Sequence, residues 1–294
     1  MNLLATVIEI VAPVFLLGAI GFTWVKLGFE YRLEFVTKLA MTLSVPSLIF
    51  VSLMESEIEP AALTSLAMAS IAAYAVLTVV IWGGVKLAGM RTDVFVAPMI
   101  FGNTGNLGLP LALFAFGQVG LSYAVVVFAV MAVLSFSFGV WLVSGGGNVF
   151  KVIKEPVVAA TLLGALFLWQ GWETPSFLTN SLSLIGQMAI PMMLITLGVA
   201  VARLSPGHLA LAVVLSLIKV FACVAVAWGV GIFFDLESTA FAVLVLQIAT
   251  PVAVTSYLLA QKYCDDSNTV AGLVVASTLL SVGYLPLLLA ILLP

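Results

Sequence analysis

Between Asp93 and Lys151 the chain carries no charged residue at all. A run that long and that apolar cannot form a surface in water. It is also too long for one bilayer crossing, which needs roughly 20 residues. The turn-like GQVG at 117–120 divides it into two spans. The same character holds elsewhere: 63% of the 294 residues are hydrophobic and 8% charged, with a mean hydropathy of +1.28. Soluble domains carry roughly 25% charged residues. Breaks placed at charged or Gly/Pro-rich clusters predict ten transmembrane helices at 3–25, 33–54, 60–85, 94–116, 120–144, 156–172, 176–202, 208–233, 238–261 and 268–293. The expected fold class is an all-α polytopic membrane protein with no separate soluble domain. The opening MNLLATVIEIVAPVF lacks the positive region and small-residue cleavage site of a secretory signal, so it reads as a retained first helix.

Charge fixes an orientation. Lys26, Arg32, Lys38, Lys86, Arg91, Lys151, Lys154, Arg203 and Lys262 all fall at odd-to-even connections, whereas Glu55, Glu57, Glu59, Glu173, Asp235 and Glu237 crowd the opposite face without any Lys or Arg. Cytoplasmic loops collect basic residues. Both termini are therefore expected outside a cell (inner or plasma) membrane.

A period near half the chain length follows from the prolines and polar breaks. Pro13 and Pro156 are 143 apart, Pro46 and Pro191 145, and Ser135 and Ser281 146. At that last offset GNTGNLGLP (102–110) in span 4 falls on IATPVAVTS (248–256) in span 9. Two halves of five helices each, 1–147 and 148–294, are expected, joined by GGGNVFKVIKE. An odd number of helices per half inverts the second copy, as in many secondary transporters.

The polar interruptions carry the functional expectation. Span 4 holds Asn103, Thr104, Gly105, Asn106, Gly108 and Pro110, and span 9 holds Gln247, Thr250, Pro251, Thr255 and Ser256. Unsatisfied backbone at that depth costs several kcal/mol per group, so such stretches face protein or a watery cavity. Pro110 lacks a donor and clashes with the Asn106 carbonyl. Two broken helices would bring half-helix ends, positive at N-termini and negative at C-termini, to the membrane midplane, where they can hold an anion or a small cation. The alternative is a pair of kinked helices whose polar groups satisfy each other. Lys219 lies about ten residues into span 8, roughly 15 Å deep. It is expected to attract an organic anion, to serve as a resident cation whose deprotonation is coupled to transport, or to pair with a carbonyl for structure. Pro46 and Pro191, with Ser44 and Gln187 nearby, are expected kinks lining the same region or bends needed for packing. Glu9 is expected at the outer interface.

Other chemistries find little support. His208 is the one histidine, Cys223 and Cys264 form no CxxC pair, and no HExxH, paired aspartates or Ser/His set occurs in the spans. No metal, no cofactor and no catalytic residue is expected. GGGN at 145–148 is not a phosphate loop, since no GxxxxGK[ST] accompanies it. The net charge of -3 implies no nucleic-acid partner.

FGNTGNLGLPLALFAFGQVGLSYAVVV (101–127) and QIATPVAVTSYLLAQKYCDDSNTVAGLVVASTLLSV (247–282) resemble signatures of the auxin efflux carrier family, and SVPSLIF in span 2 is similar to it too. The resemblance implies a ten-helix inverted-repeat fold similar to bile-acid and sodium/proton carriers, with a scaffold part and a core part containing crossing broken helices. It implies transport of small organic anions, a class including dicarboxylates such as malonate and malate and, in plants, indole acetate. Asn103, Asn106 and Pro110 match the crossover of helix 4, and Thr250 and Pro251 that of helix 9. Lys219 lies where antiporters of similar fold often keep a lysine. The short link between halves is closer to prokaryotic members than to plant auxin carriers, so auxin is not the expected cargo.

The leading expectation is an alternating-access carrier of a mono- or dicarboxylate, with H+ or Na+ as coupling ion and the bilayer as its surroundings; a homodimer is left open. A sodium-coupled symporter of a bile-salt-like acid and a transporter-like receptor without flux are the alternatives. An embedded carboxylate near the crossover would favour the first of these, and none is present.

Overall fold

The computed structural model describes residues 3–144, 155–264 and 266–293, and every regular element in them is a helix. Most of the expected link between halves, Gly145 to Lys154, lies outside the described residues, with Lys151 and Lys154. In chain order the helices are α1 (Leu3–Lys26), α2 (Leu33–Met54), α3 (Pro60–Leu87), α4 (Thr92–Ile100), α5 (Thr104–Ser144), α6 (Pro156–Gln170), α7 (Ser176–Arg203), α8 (Leu209–Phe233), α9 (Ser238–Ile248), α10 (Val254–Tyr263) and α11 (Ser267–Leu292). Among the described residues seven helices are long and apolar enough to cross a membrane, and α6 and α9 are shorter apolar helices. The chain is a multi-pass membrane protein.

Three interruptions follow from local chemistry. The 41 residues of α5 would run about 60 Å, twice a hydrocarbon core. They are in fact two helices meeting at Gly117, whose φ of 65° suits glycine. The expected spans 94–116 and 238–261 are each interrupted, at 101–103 between α4 and α5 and at 249–253 between α9 and α10. Pro46 and Pro110 are each preceded by a π-helical turn, Ala40–Ser44 and Thr104–Gly108. A wider turn moves the carbonyl four residues back, Thr42 or Asn106, away from the proline ring. A third π turn, Ser135–Gly139, has no proline; there the Ser137 hydroxyl donates to the Val133 carbonyl at 2.5 Å.

The helices pack in two groups. In the first, α1 lies along α7 and α2 lies against α6 and α7. The α1–α7 approach is set by glycine: a Cβ on Gly198 would stand 1.8 Å from the Gly18 carbonyl oxygen, and one on Gly21 2.0 Å from that of Ile195. Small residues let membrane helices close to backbone contact, where dispersion replaces the hydrophobic effect. The second group joins α3, α4, α5, α8, α9 and α11 around Tyr74, Leu77, Ile100, Phe101, Tyr123, Leu244 and Val270.

The ends of the bundle differ. Arg203 donates to the Tyr31 carbonyl at 2.6 Å, and the Cys264 thiol to that of Asp93 at 3.6 Å, which gathers the connections bearing Arg32, Arg91, Arg203 and Lys262. At a connection of the other charge, the Thr174 hydroxyl contacts Met54 Sδ at 3.6 Å, beside Glu55 and Glu173.

The two interruptions cross. Asn103 N–H donates to the Pro251 carbonyl at 2.7 Å and Ala253 N–H to the Phe101 carbonyl at 3.4 Å, an antiparallel bridge centred on Gly102 and Val252. The reciprocal bonds relate Phe101 to Pro251 and Asn103 to Ala253, an offset of 150. The sequence aligns the two breaks in place at an offset of 146, not residue by residue, since Pro110 and Pro251 are 141 apart. The offset of 146 comes from Ser135 and Ser281 in spans 5 and 10, away from the crossing.

Candidate functional site

Gly102 lets the crossing close. A Cβ there would lie 2.3 Å from Thr250 Oγ1 and 3.0 Å from the Thr250 carbonyl oxygen. Likewise Gln247 lies over Gly108, where a Cβ would stand 2.1 Å from its Oε1. Three carbonyls at and just past the end of α9 have side-chain donors. Tyr284 of α11 donates to Ala249 O at 2.8 Å, Lys219 of α8 donates from Nζ to Thr250 O at 2.9 Å, and the Thr250 hydroxyl donates to Gln247 O at 2.6 Å. The Val252 N–H is met by Ser277 Oγ at 3.0 Å. At this end of the broken pair these backbone groups are satisfied, while the Gln247 amide is not.

The helix starts at the crossing are not. Asn103 and Ala253 stand at the N-caps of α5 and α10, and neither start has a side-chain cap. By helix geometry the N–H groups of Thr104, Gly105 and Asn106, and of Val254 and Thr255, have no partner within their helix. Asn103 Nδ2 and Thr104 Oγ1 are buried with no hydrogen-bond partner, as are both amide atoms of Gln247. Such groups cost about 1–3 kcal/mol each unless something else satisfies them.

Beside these starts lies a cavity of about 70 Å³, room for roughly two waters. Gly102, Asn103, Gly105, Asn106, Ala253 and Thr255 form its polar floor. Phe128, Met131, Phe136, Met193 and Leu258 are among its apolar walls. No lining residue is ionisable. Each of the three π turns contributes to it, through Ala40 and Met41, Gly105 and Asn106, and Ser135 and Phe136. At its margin Tyr31, in the α1–α2 connection, places its hydroxyl 2.7 Å from Thr196 Oγ1, a lining residue. Burial pushes the Tyr31 phenol above its usual pKa, against the hydrogen bond to Thr196 and the charge of Arg203. A second cavity of about 760 Å³ opens between α2, α7 and α5 at the end carrying Glu55 and Glu57. Both cavities lie along the seam between the two helix groups.

The expected site residues thus separate. Asn103, Gly105, Asn106 and Thr255 reach the inner cavity, with Thr104 buried beside them. Thr250, Pro251 and Gln247 hold the crossing, and Ser256 N–H bonds the Ala253 carbonyl in the first turn of α10. Pro110 starts the regular part of α5 above its π turn. Lys219 does not line the cavity; it lies behind the Thr250 peptide. Gln187 and Pro191 line the other cavity, Ser44 is buried with an unpartnered hydroxyl, and Pro46 opens the α-helical part of α2. The aromatic and methionine walls were not anticipated, because an apolar side chain facing a cavity reads like one facing lipid. The caps Tyr284 and Ser277 were missed as well; only their polarity within span 10 marks them.

Fold and site together define a multi-pass helical membrane protein with a small cavity beside the crossing of two broken helices. The sequence profile of the membrane transport protein family matches residues 6–150 and 143–289. The chain belongs to that family, that of the auxin efflux carriers. It is 25% identical to an uncharacterized transporter of Methanothermobacter thermautotrophicus, over 95% of this chain and 96% of that one. It is also 25% identical to an uncharacterized transporter of Methanocaldococcus jannaschii, over 67% of each chain.

Proposed function

We propose that the protein is an alternating-access carrier of a small organic anion across the cell membrane, with the anionic head held at the starts of α5 and α10. One observation supports this most: the helix-start N–H groups and the unpartnered Asn103 Nδ2 meet at the cavity floor, and no lining residue is ionisable. Helix N-termini attract anions, and Asn103 adds an unpartnered side-chain donor. The apolar walls suit the carbon body of such a molecule. At about 70 Å³ the cavity is smaller than ligand pockets of roughly 300–1,000 Å³, so loading requires the seam to widen. In this reading α1, α2, α6 and α7 form the static part and the group holding the crossing moves against it.

The same reading takes the chain as ten spans in two inverted five-helix halves, 1–147 and 148–294, with both termini outside. The reciprocal bonds at the crossing and the family match in two stretches support the halves. Purified protein in proteoliposomes should take up one or more labelled mono- or dicarboxylates. Asn103→Ala should slow that flux roughly ten- to a hundred-fold, since a hydrogen bond to a charged group is worth about 1.5–3 kcal/mol. Unchanged flux in this variant would remove the site assignment.

A further inference from the structure

One buried lysine stands behind the crossing. Among the described residues Lys219 is the one charged side chain that is buried, 2% exposed, while Glu9 in α1 is exposed. The groups around Lys219 hold no carboxylate: Nζ donates to Thr250 O at 2.9 Å, with Cys223 Sγ of its own helix at 3.8 Å. On the same end of α9 the Tyr284 hydroxyl of α11 donates to Ala249 O, and the Tyr74 hydroxyl of α3 is buried without a partner. The carbonyl end of α9 eases the ammonium locally but carries no net charge. Thr250 O also stands 3.0 Å from the position a Cβ would take on Gly102, and Gly102 lines the cavity. The ammonium is thus one peptide group away from the cavity floor.

We infer that the cargo is a monovalent anion whose charge is matched one for one by Lys219, so that the loaded site crosses the membrane electrically neutral. This rests on the proposed transport of organic anions and adds the cargo's valence. A net charge inside a low-dielectric body is expensive. The empty site carries one positive charge; a monoanion cancels it, and a dianion replaces it with one negative charge. A second carboxylate would face walls that are mostly apolar, Phe128, Met131, Met193 and Leu258, with hydroxyls only from Thr37, Ser135 and Thr196 and no cation. The valence has a kinetic signature: the loaded step moves no charge and the return of the empty site moves one.

The test is labelled exchange in proteoliposomes with acid present on both sides, a mode that uses only loaded steps. Hexanoate with adipate, and benzoate with phthalate, pair one and two carboxylates on equal frameworks. For the wild type, exchange of a monocarboxylate should change less than about threefold over 100 mV, where one moved charge is worth up to about fifty-fold. The matched dicarboxylate should exchange at least about tenfold more slowly. Lys219→Met should make monocarboxylate exchange voltage-sensitive, and Lys219→Arg should restore insensitivity. A wild-type exchange that shifts more than threefold, an equally fast dicarboxylate, or a Lys219→Met exchange still indifferent to voltage each overturns the inference and leaves the carrier reading standing. If Lys219→Met does not fold, the wild-type voltage measurement decides alone. Exchange of none of the four acids would instead overturn the organic-anion reading, and the inference with it.

Discussion

Two glycines at the crossing look alike in sequence and differ in what surrounds them. At Gly102 an added methyl meets both the Thr250 hydroxyl and the Thr250 backbone oxygen; at Gly108 it meets only the end of the Gln247 side chain. Overpacking costs about 1–3 kcal/mol when neighbours must move. Gly102→Ala should therefore lower thermal stability and flux, and Thr250→Ala added to it should recover only part of the loss, because the backbone contact persists. Gly108→Ala should be largely rescued by Gln247→Ala. Unfolding midpoints of the four variants separate the cases. The need for glycine, asparagine and proline at this depth was legible in the sequence, since each is costly in a plain membrane helix. The direction in which Lys219 points was not. Its partner is a carbonyl thirty-one residues away, exposed only because α9 ends there.

Helix pairs carry their own information. Gly18, Gly21 and Gly198 bring α1 and α7 to backbone contact, and Gly198→Ala should force them apart, with a loss of at least about 1–3 kcal/mol in stability. The yield of folded protein in detergent reads this directly. Near one end of the same pair, Tyr31→Phe removes the bond to Thr196 and should cost about 1 kcal/mol. The Tyr31 phenol titrates above its ordinary value of about 10 in the fold. Burial thus favours the neutral phenol. Its contribution is complete below pH 10 and is lost as pH rises through the higher folded value, so wild type and Tyr31→Phe should differ in the slope of stability against pH only in that alkaline window. Helix breaks could be read from sequence, but their register could not. Offsets of 143–146 in spans 1, 2, 5 and 10 gave no sign of the 150 at the crossing, because helix lengths between landmarks change freely while the crossing bonds must match. The π turns before Pro46 and Pro110 relieve a clash that the sequence does make visible.

At the scale of the whole molecule, the segregation of basic and acidic connections predicts which face meets the cytoplasm. A thiol reagent that cannot cross the membrane should label Cys264 only from the cytoplasmic side, and Cys223, fully buried, should stay unlabelled until the protein is unfolded. Labelling of Cys264 from outside would reverse the orientation. The two cavities also set how the membrane potential is distributed. Along α7 the inner cavity reaches Met193 and the outer one Pro191; along α2 they reach Met41 and Leu48, and along α5 Asn106 and Leu113. At 1.5 Å per residue, the intervening protein is about 3 Å thick on one helix and about 10 Å on the others. Wherever water enters both cavities, voltage that would otherwise fall over some 30 Å of hydrocarbon falls across that thin septum. A displacement of about two helical turns or less would then carry the crossing through nearly the entire electrical gradient.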